Sequence, residues 1–160
     1  MLDGTPVRQL VYLSHTQGEP TIESLAAIER SATRNNARRD VTGFLMYHDR
    51  RFVQLIEGER QTIGDLFDNI TNDGRHRDLL VLYDAPNERR YFGSWGMRIV
   101  RFRSRGEQCD LLEPGELKLV DAMIAVCERL ATPDSPVSQH LRGVRFLIEE
   151  EFIAWSQRAA

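Results

Sequence analysis

Arg51-Phe52-Val53-Gln54-Leu55-Ile56-Glu57-Gly58 is a run of aromatic, β-branched and aliphatic residues closed by a glycine, the composition of a strand. At the strand period of two, Phe52, Gln54 and Ile56 share one face and Val53 and Leu55 the other. Both faces are therefore apolar, and a sheet built on this strand needs cover on both sides. Gln54 stands apart in it. A carboxamide among apolar neighbours must find hydrogen-bond partners, which water at a strand edge or the polar rim of an aromatic ligand can supply. The amide carries a donor and an acceptor on adjacent atoms and exchanges them by a flip or a tautomeric shift, which suits it to a switch.

Upstream, residues 41–48 form a second apolar run, separated from the first only by Asp49 and Arg50, which predicts a hairpin with a tight turn. Residues 8–14 read as a strand. Residues 21–36 read as a helix with Thr21 as N-cap and Leu25, Ile28 and Ala32 on its buried stripe. Downstream, residues 62–72 place Ile63, Leu66, Phe67 and Ile70 at helical spacing and stop at Asp73-Gly74. Residues 79–83 and 92–100 supply two more strands. The order β-α-β-β-α-β with a fifth strand predicts an α+β chain of ferredoxin-like, split βαβ type. Two further stripes, Leu117, Val120, Met123, Ile124, Cys127 and Leu130, then Leu141, Val144, Leu147, Ile148, Phe152 and Trp155, predict two carboxy-terminal helices broken at Pro133 and Pro136. Their expected place is over the second sheet face. The expected division is a domain at residues 1–100 and a helical extension at 101–160.

The chain has 160 residues and a formal net charge of −3, enough length for a real core and no basic footprint for nucleic acid or an anionic membrane. Cys109 and Cys127 are far apart, and His15, His48, His76 and His140 lack metal-ligand spacing. With no long apolar window and no cleavage signature, a reduced cytoplasmic protein is expected.

Tyr12 in Leu10-Val11-Tyr12-Leu13-Ser14, the pair Asn35-Asn36, Val41-Thr42-Gly43, Gln54, Arg75-His76 and Ser94-Trp95-Gly96-Met97 follow one another in an order and spacing that resembles the BLUF family, blue-light sensors using FAD. The likeness runs from about Arg8 to Met97. It implies the same ferredoxin-like core and a bound flavin, FAD or alternatively FMN. It implies that Tyr12 and Gln54 are the photoactive pair, with electron and proton leaving Tyr12 on excitation and Gln54 left rearranged. Ile28 and Ile70 match positions that sandwich the ring, Asn36 matches the amide at its polar edge with Asn35 beside it also counted as cofactor-binding, and Arg75-His76 match an Arg-His near the ring and its ribityl chain. Trp95 and Met97 match a signalling pair, which the period of two puts on one face of the fifth strand. Asn69 departs from the basic residue found there in several family members.

Read as residues alone, the same positions have ordinary explanations. Ile28 and Ile70 are also core residues at helical spacing, Asn35-Asn36 a helix end that tolerates left-handed backbone, and Trp95 with Met97 a filled core gap. No G-x-x-x-x-G-K-S/T, G-x-S-x-G or H-E-x-x-H is present, so the expectation is a sensor and not an enzyme. Two other classes share the element order: an RNA-recognition module with Tyr12 and Phe52 on central strands, and a cofactor-free ferredoxin-like interaction domain. The acidic charge and the missing RNP pattern speak against the former. Phe146 and Ile153 lie off the main stripe of the last helix, which predicts a homodimer or a downstream protein partner there.

Overall fold

A computed structural model describes residues 6–93, 96–101 and 114–159. The elements run β1 (Val7–Thr16), α1 (Ile22–Arg38), β2 (Thr42–His48), β3 (Arg51–Gly58), α2 (Arg60–Thr71), β4 (His76–Asn87), β5 (Arg98–Arg101), α3 (Pro114–Leu130) and α4 (Pro136–Ala159). The chain divides into two compact units, Met1–Ile99 and Val100–Ala160.

In the first unit the strands lie in the order β4-β1-β3-β2-β5, with β1–β3, β1–β4 and β2–β3 antiparallel. This is the ferredoxin-like order with a fifth strand beside β2. The β2–β3 hairpin turns on Asp49 and Arg50, both at positive φ (48° and 60°), the geometry whose twist matches that of the flanking strands. It sets His48 across from Arg51 and carries that register along the ladder. Gly43 of β2, at φ 153°, lies so close to β3 that an added Cβ would sit 2.0 Å from the Leu55 carbonyl oxygen.

Alternation then sorts the side chains. Leu10, Tyr12, Leu45, Tyr47, Phe52 and Ile56 point to one face and form a buried cluster with Leu25 of α1 and Ile63 of α2, against which Ile28, Ala32, Leu66, Phe67 and Ile70 pack. Burying a side chain of that size contributes about 1.5–3 kcal/mol, so this cluster holds both helices on one face. Val11, Leu13, Phe44, Met46, Val53 and Leu55 occupy the other face and are buried as well.

Several boundaries differ from the sequence reading. Thr21 does cap α1, its hydroxyl accepting the Ser24 N–H at 3.0 Å, but the helix runs past the asparagine pair to Arg38. Left-handed backbone falls on Asp40 (φ 53°), so Asn35 and Asn36 are helical. Helix α2 starts at Arg60 because the Glu59 carboxylate accepts the Gln61 and Thr62 N–H groups, capping an end that has no Ser, Thr or Asp. Strand β4 is longer than residues 79–83. Its pairing with β1 shifts register between Val11 and Tyr12 and between Leu13 and His15, and Asp78 has φ 55°, which breaks the alternation a sequence reading follows. The last strand is shorter than expected. Met97 precedes β5, Tyr91–Phe92 form a bend, and Ser94 and Trp95 lie outside the described residues, so the expected placement of Trp95 and Met97 on one strand face does not hold for Met97.

In the second unit Pro136 opens α4, and Ser135 caps it by accepting the Ser138 N–H at 3.1 Å. Arg145 of α4 bridges Asp121 and Glu128 of α3 at 3.3 and 3.0 Å. Leu117, Val120, Ile124 and Cys127 of α3 and Leu141, Val144 and Ile148 of α4 are buried, whereas Phe146 and Ile153 are exposed. Cys109 lies outside the described residues, and Cys127 is a free thiol.

Candidate functional site

Sheet register creates the centre of the site. Tyr12 of β1 lies directly across from Gln54 of β3, and Gln54 across from Leu45 of β2, so three side chains stand in one row on the helix-covered face. The Tyr12 hydroxyl donates to Gln54 Oε1. Gln54 Nε2 donates to the Met97 sulfur at 3.6 Å, a weak acceptor that leaves the amide's donor end with capacity for a better partner. Tyr12 and Gln54 are 3% and 7% exposed. Burial, reinforced by the negative charge of Asp73, pushes the Tyr12 phenol well above its usual range, so it keeps its proton in the resting protein.

Helices α1 and α2 wall a cleft above this row. Ile28, Ser31, Ala32, Asn35 and Asn36 recur at helical spacing on α1, as do Leu66 and Ile70 on α2, and together with Tyr12, Leu45, Phe52, Gln54, Asp73, Arg75 and His76 they line a cavity of about 160 Å³. Every residue nominated for cofactor contact, Tyr12, Ile28, Asn35, Asn36, Gln54, Ile70, Arg75 and His76, is on that lining. The asparagines thus face a cleft and do not serve as a helix stop. Asn36 is buried and lines the cleft, and its backbone carbonyl accepts the Arg39 and Val41 N–H groups at 3.1 and 2.9 Å.

His76 is held at both nitrogens. The Ile70 carbonyl, 2.8 Å from Nε2, can only accept, so Nε2 carries hydrogen, while Nδ1 lies 2.9 Å from the Ser14 hydroxyl. The ring meets Tyr12 edge-on at 6.1 Å, and Phe67 supports Tyr12 at 5.7 Å. Arg75 is engaged by Asp73 at 2.6 Å. Those hydrogen bonds hold the Asp73 carboxyl below the usual carboxylate range. Asn69 is exposed and does not line the cleft.

Apolar walls with amides at the rim fit a flat aromatic ligand with a polar edge. The cavity of about 160 Å³ is smaller than the roughly 300–1,000 Å³ of sites for drug-sized ligands. Ser31, Ala32, Leu45, Phe52, Leu66 and Asp73 were not singled out as site residues from the sequence. Helical spacing from Ile28 and Ile70 points to Ser31, Ala32 and Leu66, and shared parity with Gln54 points to Leu45 and Phe52. Asp73 carried no such signal. Among the described residues there is no group of His, Cys, Asp or Glu that could hold a metal, and no helix long and apolar enough to cross a membrane.

A ferredoxin-like sheet with a cleft between two helices and a buried phenol–carboxamide pair on its floor defines a ligand-binding domain. The family model for sensors of blue light using FAD matches residues 7–98, and the chain belongs to this BLUF family. It is therefore a flavin-binding blue-light sensor domain, which removes the RNA-recognition and cofactor-free readings. The β subunit of a photoactivated adenylate cyclase of Euglena longa is 38% identical over 98 residues, which is 60% of this chain and 11% of that protein. The blue light- and temperature-regulated antirepressor BluF of Escherichia coli strain K12 is 30% identical over 104 residues, 65% of this chain and 26% of the relative. This chain thus matches a minor part of either protein. Among solved structures, the BLUF protein BlrB in its dark state superposes with a TM-score of 0.60 at 27% identity, covering 91% of this chain and 98% of that one.

Proposed function

We propose that the cleft holds FAD noncovalently and that Tyr12 and Gln54 convert absorbed blue light into a changed hydrogen-bond pattern. The contact from the Tyr12 hydroxyl to the Gln54 carboxamide, on the floor of the cleft, carries this reading. Bound flavin supplies the blue absorption and, once excited, an acceptor for an electron. Tyr12 is the donor of that electron, and its raised phenol pKa keeps the proton in place until oxidation makes it a strong acid. The Gln54 oxygen already accepts the phenol hydrogen bond, so the carboxamide would take the proton at Oε1 while Nε2 gives one up toward the bound flavin, the final acceptor of both electron and proton. Return of electron and proton to Tyr12 leaves no bond permanently made or broken and the Gln54 amide turned or tautomerised.

Ile28 and Ile70 flank the ring in this reading, Asn35 and Asn36 hold its polar edge, and Arg75 and His76 stand toward its chain. Rearranging one neutral hydrogen bond is worth about 0.5–1.5 kcal/mol, so Gln54 can bias only a nearly balanced element. Met97, which receives the Gln54 N–H, is the first such element, and Trp95 belongs to the same segment. Output then passes through the fifth strand to the carboxy-terminal helices, and from them to a second copy of the chain or a downstream protein. The cyclase relatives support such an onward connection.

The purified protein is expected to be yellow, to release FAD and not FMN into acid supernatant, and to shift its absorption to the red under blue light without bleaching. Trp95→Ala should keep that shift and alter its recovery. A colourless protein after reconstitution with either flavin, or one that bleaches without a red shift, refutes the proposal.

A further inference from the structure

A second polar network lies on the face of β3 opposite Gln54. Its centre is Glu57, 0% exposed, whose carboxylate oxygens each accept two hydrogen bonds. Oε1 accepts the Phe92 backbone N–H at 2.7 Å and the Thr42 hydroxyl at 3.0 Å. Oε2 accepts the Gln9 amide at 2.9 Å and the Tyr91 backbone N–H at 3.0 Å. A carboxylate buried without partners is strongly unfavourable, and here four donors converge on one. Arg90 extends the network by donating to the Thr42 hydroxyl at 3.1 Å. Phe92 is buried and packs edge-on against Phe44, with ring centroids 5.0 Å apart. Neither Glu57 nor its partners line the flavin cleft.

Further along the same segment, Met97 stands on the other face. Its sulfur accepts from Gln54 Nε2 at 3.6 Å, and its carbonyl from the Thr33 hydroxyl at 3.2 Å. We infer that Glu57 is a positioning residue for the light response: by gripping the backbone at Tyr91 and Phe92 it fixes the start of the stretch that leads to Met97 and β5, and so how Met97 meets Gln54. The inference rests on the reading of Tyr12 and Gln54 as the photoactive pair.

The two backbone donors make a discriminating substitution available. The Thr42 hydroxyl and the Gln9 amide can reverse their roles, but a backbone N–H cannot. Glu57→Gln is nearly isosteric, yet whichever oxygen becomes the amide nitrogen, either the Phe92 or the Tyr91 N–H then faces another donor. In flavin-loaded protein, Glu57→Gln should retain the cofactor and the light-induced red shift. Dark hydrogen exchange at Tyr91 or Phe92 should quicken roughly tenfold or more, as expected for a buried N–H that loses its acceptor.

Recovery of the shifted state should change by at least about twofold, the low end of coupling between residues in one network. Introduced into Met97→Leu, the same substitution should add no further change. Thr42→Val, which removes one donor from the carboxylate, should move recovery the same way and serves if Glu57→Gln fails to fold. Faster exchange with parental recovery would make Glu57 a structural anchor only and overturn the inference. An equal recovery change with and without Met97 would overturn the route. A parent that shows no red shift sinks the reading of Tyr12 and Gln54 and this inference together, whereas a cycling parent with unmoved variants sinks the inference alone.

Discussion

The Tyr12–Gln54 contact joins two polar groups that are 3% and 7% exposed, and each strands the other if removed. Tyr12→Phe leaves the Gln54 oxygen buried without its donor, and Gln54→Leu leaves the phenol without its acceptor. Each is expected to cost about 1–3 kcal/mol, the penalty of an unsatisfied buried group. The double substitution strands neither and forfeits only the net worth of a neutral hydrogen bond, about 0.5–1.5 kcal/mol. It should therefore be less destabilising than the sum of the singles by about 3 kcal/mol, at the upper end of the range for residues in contact. The contact from Gln54 to the Met97 sulfur is missing in both proteins that lack Gln54, so it cancels from the coupling. Urea unfolding of the four flavin-free proteins gives the value from their midpoints and slopes. Additivity to within about 0.5 kcal/mol would refute the contact. Loaded with flavin, neither single variant should show the red shift, and a full shift in Tyr12→Phe would refute its role as donor.

Gly43→Ala should destabilise the first unit by about 3 kcal/mol or more, because its Cβ would lie 2.0 Å from the Leu55 carbonyl oxygen; a thermal midpoint lowered by only about a degree would contradict that close approach. Because the folded pKa of Tyr12 is raised above its unfolded value of 10.0, the folded protein holds this proton more tightly. The stabilisation is then whole below about pH 10 and declines as pH rises beyond it. Tyr12→Phe should flatten that alkaline decline in urea midpoints, and an unchanged slope would exclude Tyr12 as its source. Phe146 and Ile153 are 57% and 55% exposed on α4. Phe146→Asp with Ile153→Asp should halve the sedimenting mass at tens of micromolar, and a monomeric parent would end the dimer proposal.

The β2–β3 hairpin was legible because two apolar runs flank a two-residue turn, and element order then followed from simple periodicity. What escaped was set by side chains acting as caps and by contacts between distant residues. Glutamate is an uncommon N-cap, so nothing announced that Glu59 starts α2. Asparagine is the usual left-handed residue after glycine, which drew the end of α1 two residues short of Arg38 when Asp40 takes that conformation. Periodicity alone marks Ile28, Ala32 and Ile70 as core, and their role as cleft walls came from resemblance to a family. Resemblance also pointed to Trp95 and Met97 as a pair near Gln54, but neither route could place four donors on Glu57, since those contacts join segments that no local pattern connects.

Strand β4 stands at one end of the sheet and exposes Leu80 and Val81, a pairing that on a straight ribbon invites neighbouring molecules to add strands and grow fibrils. The two register shifts against β1 and the left-handed backbone of Asp78 bend that ribbon and set a charge beside the aliphatics. The irregularity that hid β4 from its own sequence pattern thereby acts as a solubility safeguard, denying a docking copy an uninterrupted row of N–H and C=O groups. Straightening β4 would remove the barrier against cross-β assembly.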